Sequence, residues 1–283
     1  MCKVLNISKS SYYAYEKGQT HRPILDTCVG DELRQVFQAH SRRYGSRRLR
    51  AEMKENGYKI GRHRIRKLLR AHGLQAIQPR SFVPKTTQSK HGLLASANLL
   101  EGGLEVVKPK QVWVSDITYI PLKDSKWAYL AAWTDLYSRK IVGWHIDASM
   151  SQELVIVALK NATERYKPPQ GLILHSDRGG QYFGLKFKKM LDKYSFRQSM
   201  AGKKAAYENA HAESVWATIK REMLEKGIFD TLEEARTELF GYIEVYYNRN
   251  RRHSALGYES PEEFEQMYYQ NQLSNLQSKE SVK

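Results

Sequence analysis

The sequence has few cysteines and no long apolar run. Only two of its 283 residues are cysteine, Cys2 and Cys28, which are too few for a disulfide framework or, by themselves, a zinc site. A reducing compartment is therefore expected. No stretch approaches the roughly 18 apolar residues of a membrane span, and residues 1–13 lack the core of a signal peptide. The sequence predicts a cytoplasmic protein without a membrane partner.

The sequence has fewer acidic than basic residues. The chain has 30 Asp and Glu against 46 Lys and Arg, a formal net charge of +16, and most of the basic excess lies in residues 1–110. A basic surface gains affinity for a polyanion because it displaces counterions from phosphates. This indicates DNA as a partner and a nucleoid-associated location, although a basic surface that only serves solubility is the alternative.

Residues 26–78 are predicted to form a small all-α domain, preceded by a short helical remnant over residues 1–25. Apolar residues recur at helical spacing from Asp26 to about His40. A second helix is expected to start after Ser46 as its N-cap and to stop at Gly57. The residues predicted to face the core are Val29, Leu33, Val36, Phe37, Leu49, Met53, Ile65, Leu68 and Leu69.

The third helix of this domain is predicted within residues 61–73 and carries a basic stripe. Arg62, Arg66 and Arg70 are spaced by four residues and fall on the side opposite the apolar residues. Residues 40–80 contain 13 Lys and Arg against 2 Asp and Glu. A basic last helix is typical of a helix-turn-helix module that enters a DNA groove, and an ordinary solvated helix face is the alternative.

The pattern changes after residues 79–110, which are predicted to be a linker with a short apolar segment around Leu99 and Leu100. Residues 111–227 follow as an α/β catalytic core with a mixed five-stranded sheet, in the order β-β-β-α-β-α-β-α. The predicted strands are 112–121, 127–136, 140–147, 171–177 and 196–200, and the predicted helices are 152–166, 182–193 and 210–226.

Three acidic residues lie on separate elements of this core. Asp116 is inside the first strand, Asp177 is at the end of the fourth, and Glu213 is in the first turns of the last helix, with 35 residues between the last two. Open α/β sheets place their sites at strand ends. Three converging carboxylates would repel one another without a cation, and their oxygens suit Mg²⁺ or Mn²⁺.

Two such ions about 3.5–4 Å apart activate an attacking oxygen and stabilise a leaving one in displacement at phosphorus. The three acids therefore indicate metal-dependent phosphodiester chemistry. Taken singly, Asp116 has the alternative of a buried, hydrogen-bonded strand residue. Asp177 has that of a turn former, and Glu213 that of a surface residue near a helix N-terminus.

Other polar residues near the acids are weaker candidates. Lys220, seven residues after the last acid, is interpreted as a DNA-phosphate ligand or a solvated lysine. His175 and His211 are expected to be structural because Mg²⁺ prefers oxygen. Asp135 is predicted to cap a turn, and Glu208 is the rival third acid.

The C-terminal part is predicted to be a helical extension over residues 228–270, with an amphipathic helix at 232–247. A basic loop follows, in which Arg251 and Arg252 would contact DNA or serve as surface charge. Residues 271–283 are polar and are predicted to be a frayed, flexible tail.

Several motifs together resemble one family. They are WVSDITYIP, DLYSRKIVGW, HSDRGGQY, ENAHAES with its downstream lysine, YNRNRRHSALGYESPEEF and, in the basic domain, YGSRRLR to HGL. This set resembles the integrase-like transposases of bacterial insertion sequences, of the downstream-frame (OrfB) type, within the retroviral integrase superfamily. The resemblance covers nearly the whole chain, with departures at Ser115, where threonine is usual, and at Glu208, where aspartate is usual.

The resemblance implies an RNase H-like fold and a catalytic triad of Asp116, Asp177 and Glu213 with two divalent metal ions. It also implies cutting of terminal inverted repeats, joining to target DNA, and a homo-oligomer in the DNA complex. A fusion or partnership with an upstream-frame product is a further expectation. The leading hypothesis is a metal-dependent DNA transposase, and the alternatives are a non-catalytic DNA-binding regulator and a simple nuclease of the same fold.

Overall fold

The chain forms two compact units, residues 1–78 and residues 79–283. The structure is a computed structural model that describes residue 2 and residues 7–18, 23–78, 96–124, 126–202, 210–223 and 228–280, without the side chains of residues 23–27, 210–213 and 279–280. Within these ranges, no helix combines the length and the apolar character that crossing a membrane requires.

The N-terminal unit is helical. Its elements are α1 (Lys9–Glu16), α2 (Pro23–Ala39), α3 (Ser46–Glu55) and α4 (Arg62–Ala71). The residues predicted to face the core are buried, except that Leu69 is only half-buried. Gly57 has a φ of +86°, the left-handed conformation expected just after a helix end. The predicted N-cap is wrong: Gly45 is the cap, it makes no side-chain bond, and Ser46 is the first helical residue.

The second unit is built on a mixed five-stranded sheet. Its strands are β1 (Val112–Pro121), β2 (Trp127–Asp135), β3 (Ile141–Asp147), β4 (Ile173–Ser176) and β5 (Arg197–Met200). Their order is β3-β2-β1-β4-β5, with antiparallel pairing within β1–β3 and parallel pairing of β1 with β4 and of β4 with β5. The helices that follow are α5 (Gln152–Tyr166), α6 (Leu185–Tyr194) and α7 (Ala210–Met223). The predicted element order is therefore confirmed.

One face of the sheet is covered by α5, which lies close to β3. A Cβ added to Gly143 would stand 2.4 Å from the main-chain oxygen of Ala158 and 2.6 Å from Cβ of Ala162, so only glycine allows this approach. A large apolar cluster fills this face and includes Trp113 and Trp133 from the sheet.

The other face carries a smaller apolar cluster. Val112, Val114 and Ile173 are its buried members, and Leu99 and Leu100 pack against it. The predicted linker of residues 79–110 therefore ends in a stretch that belongs to the core, while residues 79–95 lie outside the described part of the chain. The apolar segment predicted around Leu99 and Leu100 is the part that packs.

The C-terminal extension is helical. Helix α8 (Leu232–Phe240) passes directly into a π-helix (Gly241–Tyr247), and α9 (Pro261–Glu280) ends the described chain. The helix predicted at 232–247 is confirmed in extent, although its second half is π-helical. The flexible tail predicted from residue 271 is instead helical up to Glu280.

This extension closes the open edge of β3. The side-chain amide of Asn248 accepts a hydrogen bond from the Ile141 amide at 2.9 Å and donates one to the Ile141 carbonyl at 2.9 Å. Lys140 and Glu265 form a buried ion pair at 2.9 Å next to it. An edge strand exposes main-chain groups that invite further pairing, and Asn248 satisfies those of Ile141, at the start of β3.

Asp135 caps the turn between β2 and β3, as predicted. It is 2% exposed, and its Oδ1 accepts hydrogen bonds from the amides of Tyr137 and Ser138. Its Oδ2 accepts from the Lys110 amide at 2.7 Å and from Trp113 Nε1 at 3.1 Å. Burial raises the pKa of the Asp135 carboxyl, and the hydrogen bonds from Ser138 and Lys110 oppose this rise.

We expect Asp135→Asn to lower the free energy of unfolding by about 2–5 kcal/mol, because an amide NH₂ would face two buried N–H donors and leave them without acceptors. Denaturant titration of the full chain would measure this loss. The control is Asp147→Asn, where one carboxylate oxygen accepts from the Ala148 amide and an amide oxygen serves equally well. Equal unfolding free energies for the two variants would contradict the capping role.

Candidate active site

Asp116 and Asp177 stand side by side at the centre of the sheet. The parallel pairing of β1 with β4 runs from Val112 opposite Ile173 to Ser115 opposite Ser176. Each aspartate follows this last pair by one residue, Asp116 within β1 and Asp177 directly after the end of β4, so the two residues are neighbours across strands that are about 5 Å apart. Because side chains alternate along a strand, both carboxylates lie on the face of the smaller apolar cluster.

The loop after Asp177 turns sharply over this position. The Gly179 amide donates to Asp177 Oδ1 at 2.9 Å, and Arg178 Nε donates to the Ala201 carbonyl at 2.9 Å. A Cβ on Gly179 would stand 2.8 Å from Gln181 Oε1 and 3.0 Å from Asp177 Oδ1. A larger residue at position 179 would displace the ends of these two side chains, and the Gly179 hydrogen bond orients the Asp177 carboxylate.

Burial raises the pKa of Asp177, and the Gly179 hydrogen bond lowers it in part. The carboxylate form thus lacks the full solvation that water would supply. The Asp116 carboxylate accepts a hydrogen bond from the Ile117 amide at 2.8 Å. Two oxygen-bearing side chains in this setting favour the approach of a hard cation.

Helix α7 packs against β1 and brings a positive charge to the same place. Lys220 is half-buried, so burial lowers its pKa, while the charge of Asp116 raises it. This electrostatic coupling means that the ammonium lies near Asp116. The role predicted for Lys220, that of a DNA-phosphate ligand, stays a prediction.

The third predicted acid is only partly described. Glu213 lies in the first turn of α7, as predicted, but its side chain and that of His211 are outside the described part, and so is Glu208. Among the side chains that the structure does describe, no group of three possible metal ligands occurs.

His175 is fully buried and its Nδ1 lies 2.9 Å from Ser199 Oγ, in keeping with its expected structural role.

A buried tyrosine lies under the two aspartates and was not singled out by the sequence reasoning. The hydroxyls of Tyr182 and Ser115 are 2.8 Å apart, and Tyr182 is 1% exposed. Burial raises the pKa of Tyr182 well above its usual value, as do the charges of Asp177 and Asp116. The bond joins the end of the Asp177 loop to the neighbour of Asp116 on β1. Its only sequence signal is a tyrosine five residues after Asp177.

The predicted DNA-contact arginines divide into two groups. Arg62, Arg66 and Arg70 are all exposed on α4 in the N-terminal unit. Arg252 is half-buried and donates to the Tyr258 carbonyl at 3.0 Å. The prediction that Arg251 belongs to an exposed basic loop is wrong: the residue is 2% exposed and is paired with Glu222 at 2.8 Å.

The sheet order, the adjacent aspartates and the helix on β1 define a protein of the integrase-core class. Two models of an integrase core domain match residues 106–205 and 194–261, and the model of an HTH-like domain matches residues 28–82. The catalytic unit is an RNase H-like fold, and a helix-turn-helix unit precedes it.

Relatives of nearly equal length define the family. The "Insertion element IS600 uncharacterized 31 kDa protein" of Shigella sonnei is 38% identical over 274 residues, covering 95% of this chain and 99% of the relative. "Transposase InsF for insertion sequence IS3A" of Escherichia coli (strain K12) is 37% identical over 269 residues, covering 94% and 92%. The chain belongs to this family of insertion-sequence DDE transposases, which confirms the resemblance.

Solved retroviral integrases share part of the fold. The HTLV-2 integrase catalytic core in complex with magnesium matches with a TM-score of 0.45 and 16% identity, covering 57% of this chain and 99% of that one. A chain of the simian T-cell lymphotropic virus intasome in complex with PP2A regulatory subunit B56 gamma matches with a TM-score of 0.47 and 13% identity, covering 78% of this chain and 70% of that one. Family membership follows from the sequence relatives and not from these structures.

We expect Tyr182→Phe to raise the Mg²⁺ concentration that half-saturates DNA cleavage by about tenfold, as loss of a residue that orients metal ligands does. The hydroxyl is lost but the ring stays, so the free energy of unfolding should change by only about 1 kcal/mol. Metal titration of cleavage and denaturant titration would measure the two effects.

The control for this prediction is Tyr194→Phe, in which the ring stacked on Phe196 is kept. Ser115→Ala should reproduce the effect of Tyr182→Phe, and the double variant should lose no more than either single one. A wild-type metal dependence in Tyr182→Phe would contradict the role of the Tyr182–Ser115 bond.

Proposed function

We propose that this transposase cleaves the ends of its insertion sequence and joins them to target DNA at one site, formed by Asp116, Asp177 and Glu213. In the first step water attacks a phosphodiester at the element end, and the bond to the 3′-oxygen breaks to leave a free 3′-hydroxyl. In the second step that hydroxyl attacks a target phosphodiester and displaces a target 3′-oxygen. The same chemistry at phosphorus serves both steps.

The observation that carries this proposal is the position of the two aspartates. Asp116 and Asp177 each follow the last paired residues, Ser115 and Ser176, of two adjacent parallel strands, on the face against which α7 presents Lys220. A site for phosphoryl transfer needs oxygen ligands for cations and a positive group for the phosphate, and this face provides both. Glu213 completes the set as the acid in the first turn of the same helix.

The residues fit divalent metal ions, and we propose two Mg²⁺ or Mn²⁺ per site. Carboxylate oxygens are the ligands that these ions prefer, and the raised pKa of Asp177 reflects burial without a strong neighbouring charge. When bound, such ions polarise the phosphodiester and lower the pKa of water. The protein's own part is to orient the carboxylates through the Gly179 and Ile117 amides.

The other charged groups have separate roles in this proposal. Lys220 holds a DNA phosphate near the Asp116 carboxylate. The stripe of Arg62, Arg66 and Arg70 on α4 binds the terminal inverted repeats.

The DNA complex contains more than one copy of the chain, since two element ends are joined together, and an upstream-frame product is a further partner. Such a transposase works in the cytoplasm at the nucleoid.

We expect Asp116→Asn, Asp177→Asn and Glu213→Gln each to lower cleavage and strand transfer by at least about 10³-fold, because the residues of one catalytic set fail together. Short duplexes carrying the element's own ends would serve as substrates with Mg²⁺. Gel-shift binding of the same duplexes should stay within about twofold of wild type, since phosphate contacts by basic residues dominate affinity.

The matched control is Asp192→Asn, an exposed carboxylate on α6, which should keep wild-type activity. Normal strand transfer in Asp116→Asn or Glu213→Gln would disprove the triad. Cleavage without joining by the wild-type chain would favour a simple nuclease, and binding without cleavage would favour a regulator.

We expect Arg62→Ala, Arg66→Ala and Arg70→Ala each to weaken binding of end duplexes and to reduce the slope of log K against log salt by about 1 where the arginine contacts a phosphate. Titration at several salt concentrations would measure both. Lys17→Ala removes an exposed charge of the same unit outside α4 and should change neither. Unchanged slopes in all three arginine variants would identify the stripe as a solvated helix face.

A further inference from the structure

Helix α7 is held by a buried ion pair between Glu222 and Arg251. Glu222 is 5% exposed and Arg251 is 2% exposed. Arg251 Nη2 donates to Glu222 Oε1 at 2.8 Å, and Nε lies 3.2 Å and 3.1 Å from the two carboxylate oxygens. The Tyr242 hydroxyl donates to Glu222 Oε2 at 2.8 Å. We call Glu222, Tyr242 and Arg251 the α7 anchor.

The anchor is also fixed on the side of the C-terminal extension. The Arg251 guanidinium lies 5.5 Å from the ring centroid of Tyr247, and its Nη1 lies 3.2 Å from His253 Nε2. Both carboxylate oxygens of Glu222 and three nitrogens of Arg251 thus have partners of defined geometry. A fork of this kind fixes direction as well as distance.

Glu222 continues the buried stripe of α7. Val215, Trp216 and Ile219 are buried on this helix, and Glu222 follows Ile219 by three residues on the same face. The stripe alone would allow the helix to slide or rotate, because apolar contacts have no direction. The ion pair removes that freedom at the C-terminal end of the helix.

A buried ion pair adds little stability compared with apolar residues of similar volume, so its effect is on specificity of structure. Here the structure made specific is the position of α7 on β1. Lys220 lies two residues before Glu222, and Glu213 lies at the opposite end of the same helix.

We propose that Arg251 is a positioning residue for the transposition site, because by holding Glu222 it fixes α7, and with it Lys220 and Glu213, against the strand that carries Asp116. This inference rests on the proposed function, in which α7 contributes the third acid. It reassigns Arg251 from DNA contact to alignment of the site. The side chain acts through Glu222 and does not touch substrate.

The test is an apolar replacement of the whole anchor, Glu222→Met with Tyr242→Phe and Arg251→Met, in the full chain. Removing the three buried groups together leaves no fully buried charge unpaired, because Arg221, which lies 3.5 Å from Glu222, is one-third exposed, so the variant should fold. We expect end-duplex binding to stay at wild-type level while the half-saturating Mg²⁺ concentration for cleavage rises at least about tenfold. A merely destabilised protein would lose active fraction without this shift.

Hydrogen exchange provides a measurement that does not depend on activity. The amides of residues 215–223 should exchange at least about tenfold faster in the triple variant, since the helix opens more often without its anchor. Arg251→Lys, which keeps the charge but lacks the fork, should show a smaller shift in the same direction. It also serves as the second variant should the triple replacement fail to fold.

The matched control is Lys140→Met with Glu265→Met, which removes another buried ion pair of the extension that joins α9 to the turn before β3. This control should leave both the metal dependence and the exchange of α7 at wild-type values. Wild-type metal dependence and exchange in the anchor variants would overturn the proposal. If the wild-type chain failed to cleave end duplexes, the proposed function would fail, and the exchange rates would still decide whether the anchor positions α7.

Discussion

The parallel pairing of β1 with β4 is the constraint on which the site depends. It sets Asp116 and Asp177 next to each other on one face of the sheet. Two carboxylates on one face of a sheet disfavour each other's ionised form, and burial further raises the pKa of Asp177. A hard cation at this face would offset both effects.

Contacts on both faces of the sheet surround Asp116 and Asp177. On one face, the Tyr182–Ser115 bond fixes the end of the Asp177 loop to β1 from inside the large apolar cluster. On the other face, α7 lies on β1 and places Lys220 near Asp116. The Tyr182–Ser115 bond therefore lies on one side of the two aspartates and Lys220 on the other, and the Gly179 and Ile117 amides orient their carboxylates. Such preorganisation is what electrostatic catalysis requires.

Local patterns predicted most of this catalytic unit. The strands around Asp116 and Asp177 could be predicted because buried strands form short apolar runs. The cap at Asp135 could be predicted from the sequence of its turn. The burial of Arg251 was not, because its partner Glu222 lies 29 residues away on another helix and periodicity reports only on a residue's own element. The helix beyond residue 271 was also missed, since polar composition alone does not exclude helix.

The π-helix explains how one short stretch fixes two distant parts of the unit. Its four buried residues, Tyr242, Ile243, Tyr246 and Tyr247, stay on one face because each turn contains an extra residue compared with an α-helix. The same spacing continues beyond it: the Asn248 amide donates to the Ile243 carbonyl and the Arg251 amide to the Tyr246 carbonyl, each five residues back. Asn248 is thereby aimed at the edge of β3 and Arg251 at Glu222. The segment that directly follows the π-helix therefore carries both the side chain that bonds Ile141 on β3 and the side chain that pairs with Glu222 on α7.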